Sequence, residues 1–338
     1  MRVLAAPDKF RGTASAREVA SAMLHGVADL GGSGVECPLA DGGEGTLDAL
    51  GGPNRHSIVT GPLGDEVDAA WRLSRGVAVV EMAQASGLAL VGGAEGNDAL
   101  AASSYGTGEL IDVAIERGAK KVVVTVGGSA TTDGGLGALD ALWPLQRLRG
   151  IELVVACDVA CPFVEAARRF APQKGASSAQ VAFLERRLER LAQRYEDELG
   201  VDVRALPHAG AAGGLAGGLA AAGAELVSGF DLVADWTDLD ELIADVDLVI
   251  TGEGRLDSTS FTGKVVGGVV DLAADAGVPV MVVAGRVDAG VAEGLPVVDL
   301  VERFGEREAM ESTLECIRIA VREGAAEAIS SWSRSNPR

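Results

Sequence analysis

Residues 246–264 constrain the fold more than any other stretch of this 338-residue chain. The apolar run Val246-Asp247-Leu248-Val249-Ile250 breaks into Thr251-Gly252-Glu253-Gly254-Arg255-Leu256-Asp257, and Lys264 follows Gly263. Such a run reads as a buried strand that ends where glycine and charge begin. In open α/β sheets that carboxyl edge is where ligands bind. Two acids, an arginine and a lysine at one edge suit an anionic substrate and a divalent cation.

The same texture recurs along the chain. Strands are expected at residues 3–6, 35–39, 122–126, 153–156, 248–251, 280–284 and 297–301. Helices are expected at 107–117, 178–199, 265–276 and 307–330, and the capping box Ser15-Ala16-Arg17-Glu18 opens another. Residues 209–224 carry no charge until Glu225 and read as a close-packed helix with small-residue spacings at Gly213/Gly217 and Gly214/Gly218. Around Gly64-Asp65 and Arg75-Gly76, residues 57–83 alternate in short stretches that look like antiparallel hairpins. The expected class is therefore α/β with two α/β domains. A Rossmann/flavodoxin-like parallel-sheet domain (1–55 plus 247–338) is interrupted by an inserted mixed α/β domain (56–246), with the active site in the cleft between.

Charge narrows the partners. Acids outnumber bases 49 to 29, a formal charge of −20. Nucleic acids and anionic membranes require excess Lys and Arg, so neither is an expected partner. A small anion would be held by a few local cations and backbone N–H groups. Of five lysines, Lys120 and Lys121 precede an apolar strand, whereas Lys9, Lys174 and Lys264 sit in loops marked by proline or glycine. The four cysteines (Cys37, Cys157, Cys161, Cys316) have no zinc spacing and read as reduced thiols of a cytoplasmic protein. The first eight residues read as no signal peptide. The sequence carries no signal for oligomeric state.

Five strand ends lead into polar, acid-bearing loops: Pro7-Asp8-Lys9-Phe10-Arg11-Gly12-Thr13, Ala40-Asp41-Gly42-Gly43-Glu44-Gly45, residues 127–135, Cys157-Asp158-Val159, and residues 252–257. The third, Gly127-Gly128-Ser129-Ala130-Thr131-Thr132-Asp133-Gly134-Gly135, has the strongest physical content. Its glycines let backbone N–H groups approach an anion, and Ser129, Thr131 and Thr132 can donate to phosphate or cap the next helix. The acids Asp41, Glu44, Asp158, Glu253 and Asp257 fit magnesium chemistry; capping and turn duty is the alternative.

Standard nucleotide motifs are missing. Three G-x-G-x-x frames end in aspartate (Asp48, Asp140, Asp257) where the dinucleotide fingerprint needs a small residue, which argues against an oxidoreductase. Gly263-Lys264 is followed by Val265, so there is no Walker loop. The serines lack G-x-S-x-G, and none of the histidines His25, His56 and His208 neighbours a nucleophile motif.

At these loops the chain resembles the glycerate kinase family of the bacterial two-domain type. The resemblance is carried by residues 6–13, by Pro38-Leu39-Ala40-Asp41-Gly42-Gly43-Glu44-Gly45-Thr46, by residues 127–135, and by Ala156-Cys157-Asp158-Val159. It continues through Phe170-Ala171-Pro172-Gln173-Lys174-Gly175-Ala176, Gly210-Ala211-Ala212-Gly213-Gly214-Leu215, Ser228-Gly229-Phe230-Asp231-Leu232, residues 247–264 and Ala284-Gly285-Arg286, in unbroken order. Three departures stand out. Arg11 takes a place where lysine is frequent, Cys161-Pro162 replaces an Asn-Pro and glycine-bearing continuation, and residues 142–149 are abbreviated.

The resemblance implies transfer of the ATP γ-phosphoryl group to D-glycerate with Mg²⁺, giving 2-phosphoglycerate. Under it, Gly42, Gly43, Gly127, Gly128, Ser129, Thr131, Lys174, Gly213, Gly214 and Lys264 are candidates for phosphate and nucleotide. Asp8, Lys9, Arg11, Arg255 and Arg286 are candidates for glycerate. Asp41, Asp158 and Glu253 are candidates for the metal, and Asp257, with Lys9 and Asp41, for catalysis. A non-catalytic or altered-specificity paralogue that binds a small hydroxy acid or a nucleotide is the rival reading.

Overall fold

A computed structural model describes residues 1–292 and 294–335. Eleven strands among these residues carry the fold. In chain order they are β1 (Arg2–Ala5), β2 (Ser33–Glu36), β3 (Arg55–Thr60), β4 (Glu66–Ser74), β5 (Val77–Glu81), β6 (Lys121–Thr125), β7 (Glu152–Cys157), β8 (Glu225–Ser228), β9 (Leu248–Leu256), β10 (Val280–Val287) and β11 (Val297–Asp299). The class is α/β, and two compact units share the chain: Met1–Asp41 with Phe230–Arg338, and Gly42–Gly229.

In the first unit all five strands are parallel, in the order β11-β10-β9-β1-β2. The helix Ala16–Ala28 begins at the expected capping box: Ser15 accepts from the Glu18 N–H, and the Glu18 carboxylate accepts from the Ser15 N–H. Such a cap is worth about 1 kcal/mol. Val19, Met23 and Val27 of that helix pack with Val3, Ile250, Val283, Ile317 and Val321 in one aliphatic core.

In the second unit the order is β3-β4-β5-β6-β7-β8. Its first three strands pair antiparallel, as the hairpin texture predicted, and β5 to β8 run parallel. Trp71, Leu110, Ile111, Val122, Val124 and Val155 form its main core, and Phe163, Leu184, Leu188 and Tyr195 a second.

The helices at Ser178–Leu199 and Val265–Ala276 match their expected bounds; the strand expected at 35–39 lies earlier, at Ser33–Glu36, and four further expectations need correction. First, β9 does not end at residue 251. It continues to Leu256, pairing Glu253, Arg255 and Leu256 with Ala284, Arg286 and Val287, because Gly252 and Gly254 let neighbouring backbone approach where a side chain would collide. Second, β11 stops at Asp299, whose carboxylate accepts from the Glu302 N–H and starts the helix Leu300–Phe304. Third, the single helix expected at 307–330 is two, Glu306–Glu311 and Thr313–Ser335. Fourth, the helix expected at 209–224 is a 3₁₀ turn, Ala211–Gly214, followed by Leu215–Ala221. Ala212 and Gly213 take left-handed φ of 51° and 70°, and a Cβ on Gly213 would collide with the Thr131 carbonyl.

The chain passes between units at residues 41/42 and 229/230, against expected passages at 55/56 and 246/247. Residues 42–47 are bound into the second unit: the Val126 N–H donates to the Gly42 carbonyl, and the Glu81 carboxylate accepts from the Gly45 and Leu47 N–H groups. Phe230 starts the return, its ring lying against Gly268 in the first unit.

Candidate active site

In the first unit the ends of β1 and β9 lie side by side, and their loops, with Asp41 beyond β2, bring six of the candidate residues together. The Asp8 N–H donates to the Gly252 carbonyl at 2.9 Å, and Asp8 Oδ1 accepts from the Lys9 N–H at 2.7 Å. Burial pushes the Asp8 carboxyl up to about 6; Lys9 opposes that shift, Asp41 reinforces it, and Lys264 acts more weakly against it. Burial likewise pushes Glu253 up to about 7, with the Ser260 hydroxyl and Lys264 opposing and Asp8 and Asp257 adding like charge. Glu253 Oε1 is buried and has no hydrogen-bond partner. Asp8, Lys9, Asp41, Glu253, Asp257 and Lys264 therefore share one electrostatic neighbourhood. Strongly shifted carboxyls held apart by lysines are a signature of functional sites.

Asp257 behaves differently. Its Oδ1 accepts from the Thr259 N–H at 2.8 Å and the Thr259 hydroxyl at 2.6 Å, and these bonds hold its carboxyl below the usual carboxylate range. It is an ionised acceptor at neutral pH. Two of the arginines expected to hold glycerate have other partners: Arg255 forms a two-point ion pair with Asp288 (3.0 and 3.1 Å), and Arg286 pairs with Glu306 at 3.0 Å. Arg11 is exposed.

In the second unit the glycine loops meet. A Cβ on Gly127 would land on the Gly43 backbone, 2.8 Å from the Glu44 nitrogen, so loops 42–45 and 127–129 touch backbone to backbone. Gly213 and Gly214 lie against Thr131, Thr132 and Gly134. Lys174, 3% exposed, donates from Nζ to Ser129 Oγ and to the Thr131 carbonyl, both at 2.7 Å. Burial pushes its amine down to about 7, opposed by Asp133 and Asp158. The Asp133 carboxylate accepts from Ser104 N–H, Ser104 hydroxyl, Gly135 N–H and Gly137 N–H, which makes it a structural anchor. Asp158 raises the neighbouring Cys157 thiol beyond what burial alone does, so that cysteine is inert at neutral pH. All four cysteines are free and buried.

Two contributors escaped the sequence reading. Glu81 holds the 42–47 loop, and it did carry a signal, an acid closing the run Val79-Val80 as at other strand ends. Asn97 donates to the Ala130 and Lys174 carbonyls and carried none.

A divalent cation fits the first unit's cluster in one respect. Among the described residues no three His, Cys, Asp or Glu side chains form a metal cage. Mg²⁺ needs only one or two carboxylates, with phosphate oxygens and water completing its shell. The unpartnered Glu253 oxygen, with Asp8 and Asp41 repelling one another nearby, meets that requirement. No helix among the described residues is long and apolar enough to cross a membrane.

The sequence profile of the glycerate kinase family matches residues 3–143 and 144–330. The chain is 42% identical over 333 residues to "Glycerate 2-kinase" of Escherichia coli (strain K12), covering 86% of this chain and 87% of that protein. It is 40% identical over 328 residues to "Glycerate kinase" of Halalkalibacterium halodurans, covering 85% and 86%. A crystal structure from Salmonella typhimurium LT2, described as that of a candidate glycerate kinase 2, superposes with a TM-score of 0.82 at 35% identity over 98% of this chain and 99% of that one. Because the profile runs through both units and the identity extends over most of each relative, this chain belongs to the glycerate kinase family.

Proposed function

We propose that the chain transfers the γ-phosphoryl group of ATP to a hydroxyl of D-glycerate, releasing ADP and 2-phosphoglycerate. The observation that carries this reading is the convergence of Asp8, Lys9, Asp41, Glu253, Asp257 and Lys264 at the carboxyl edge of one parallel sheet. Phosphoryl transfer needs positioning and charge neutralisation more than covalent chemistry. Lys9 and Arg11 hold the glycerate carboxylate, with Arg255 and Arg286 requiring release from their ion pairs to take part. In the second unit the N–H groups of residues 42–43 and 127–129 receive phosphate, assisted by Thr131, Gly213 and Gly214; in the first, Lys264 is a further candidate cation. Asp257 accepts the hydroxyl proton. Asp41 and Glu253 would hold Mg²⁺, which when bound would neutralise charge on the phosphate oxygens. The reading includes a cytoplasmic location, in keeping with four free thiols.

The test is ADP release from ATP with D-glycerate, followed by enolase alone. Direct consumption by enolase identifies 2-phosphoglycerate, and persistence of the product points to the 3-isomer. Nucleotide binding without any ADP release would favour the non-catalytic paralogue.

The two half-buried acids make stability depend on pH. Asp8 and Glu253 have folded values of about 6 and 7, above their unfolded values of 3.8 and 4.5. Their contribution to stability is present in full below the unfolded values and is lost as pH rises through about 6 and 7. The metal-free thermal midpoint should fall on the order of 5 °C between pH 5 and pH 8. Mg²⁺ should restore more at pH 8 than at pH 5, because ligands must be ionised to bind it. Scanning calorimetry on the wild type and on Asp8→Asn/Glu253→Gln checks this; an equal fall in both proteins refutes it.

A further inference from the structure

We propose that Lys174 is a positioning residue that braces the glycine loop from inside the protein, setting the backbone of residues 127–131 to receive phosphate without touching the phosphate itself. The inference rests on the phosphate-loop reading above and goes beyond it. Lys174 closes the 3₁₀ turn Pro172–Lys174, and its side chain enters the interior. Its two 2.7 Å bonds reach Ser129 Oγ and the Thr131 carbonyl. Between these residues, the Ala130 carbonyl accepts from Asn97, which also donates to the carbonyl of Lys174. Three consecutive loop residues are thus tied to one lysine and one asparagine. Downstream, the Asp133 carboxylate pins the other end of the loop.

Burying an ammonium group is expensive, and an aliphatic side chain would fill the space at lower cost. The depressed value of this amine records that cost. What the amine adds is a donor to the inner side of the loop, fixing Ser129 and the Thr131 carbonyl behind an anion site. A phosphate lysine of the usual kind would instead extend into solvent with its ammonium open to the ligand.

The test is a double-mutant cycle on the full-length protein, read as dissociation constants for ADP and for a non-hydrolysable ATP analogue by calorimetry. Lys174→Met and Ser129→Ala should each weaken binding about tenfold. The double variant should bind no more weakly than Lys174→Met, because Lys174 acts through Ser129. KM for glycerate should stay within about twofold, and Ser129→Thr, which keeps the hydroxyl, should bind as the wild type does. Effects that multiply in the double variant would mean that Lys174 meets phosphate directly, and wild-type affinity in Lys174→Met would mean a purely structural group; either overturns the proposal. If Lys174→Met fails to fold, Ser129→Ala alone decides, since unchanged affinity there also overturns it. A wild-type protein that binds no nucleotide removes the phosphate-loop reading and the brace together, whereas failure of the brace alone leaves wild-type binding intact.

Discussion

Asp257→Asn is expected to lower kcat about a hundred- to ten-thousand-fold, the range lost when a positioned proton acceptor is removed. Asparagine keeps the shape of the side chain and an oxygen for the Thr259 N–H and hydroxyl, so the turn at 257–260 should persist. What it loses is the capacity to take a proton. Nucleotide affinity and the thermal midpoint should stay near wild type. In phosphoryl transfer the acceptor can be an ordinary ionised aspartate, because the hydroxyl proton leaves as the phosphoryl group arrives. That is why the hydrogen-bonded Asp257, and not the higher-titrating Glu253, is assigned this role. Steady-state ADP release with saturating D-glycerate measures the effect. Turnover within about threefold of wild type would remove Asp257 from the mechanism and leave Glu253 as the next acid to replace.

Gly127→Ala should disable the nucleotide site by a different route. Its methyl group would occupy the position of the Gly43 backbone and lie 2.8 Å from the Glu44 nitrogen, so loops 42–45 and 127–129 would be forced apart. Backbone, unlike the far end of a flexible side chain, yields only at considerable cost. KM for ATP is expected to rise at least about thirtyfold, and the thermal midpoint to fall, since overpacking typically costs about 1–3 kcal/mol. Gly128→Ala is the control. Gly128 is exposed at φ 69°, and the nearest atom to its added methyl is the Ala83 Cβ at 3.5 Å. It should incur only the left-handed backbone penalty of about 1–2 kcal/mol. Equal effects of the two substitutions on nucleotide KM would refute close approach of the two loops as the reason.

Much of the fold was legible because its signals are local. Apolar runs rich in β-branched residues mark β6, β7, β9 and β10, and polar loops with glycine or charge follow them. The capping box at Ser15 marks a helix start through bonds spanning three residues. The misreadings also have local causes. Gly252 and Gly254 look like the end of a strand in isolation, yet in the sheet they permit pairing with β10 to continue. Gly213 and Gly217 look like a helix-packing motif, yet left-handed backbone at Gly213 breaks the helix there. Within the candidate site, residue types and loops were readable, and orientations were not. Nothing near Arg255 or Arg286 in the chain announces that Asp288, 33 residues on, or Glu306, 20 residues on, will pair with them. Lys174 shows the point most clearly. Its loop and its charge suggested phosphate, and its 45-residue reach back to Ser129 turned it inward.

By itself the sequence determined the α/β class, the glycine- and acid-bearing strand ends, the small-anion chemistry and the family resemblance. Each depends on short-range pattern: side-chain periodicity, turn chemistry, and motif residues in order. Tertiary structure alone decided which charges are buried, which are paired, and which are left to act. Those outcomes depend on desolvation and on contacts near 3 Å between residues far apart in the chain. The run at 246–264 divides along the same line. Its buried strand was evident from composition, while the elevated carboxyl of Glu253 and the ionised one of Asp257 exist only because the fold surrounds one and leaves the other hydrogen-bonded at the surface.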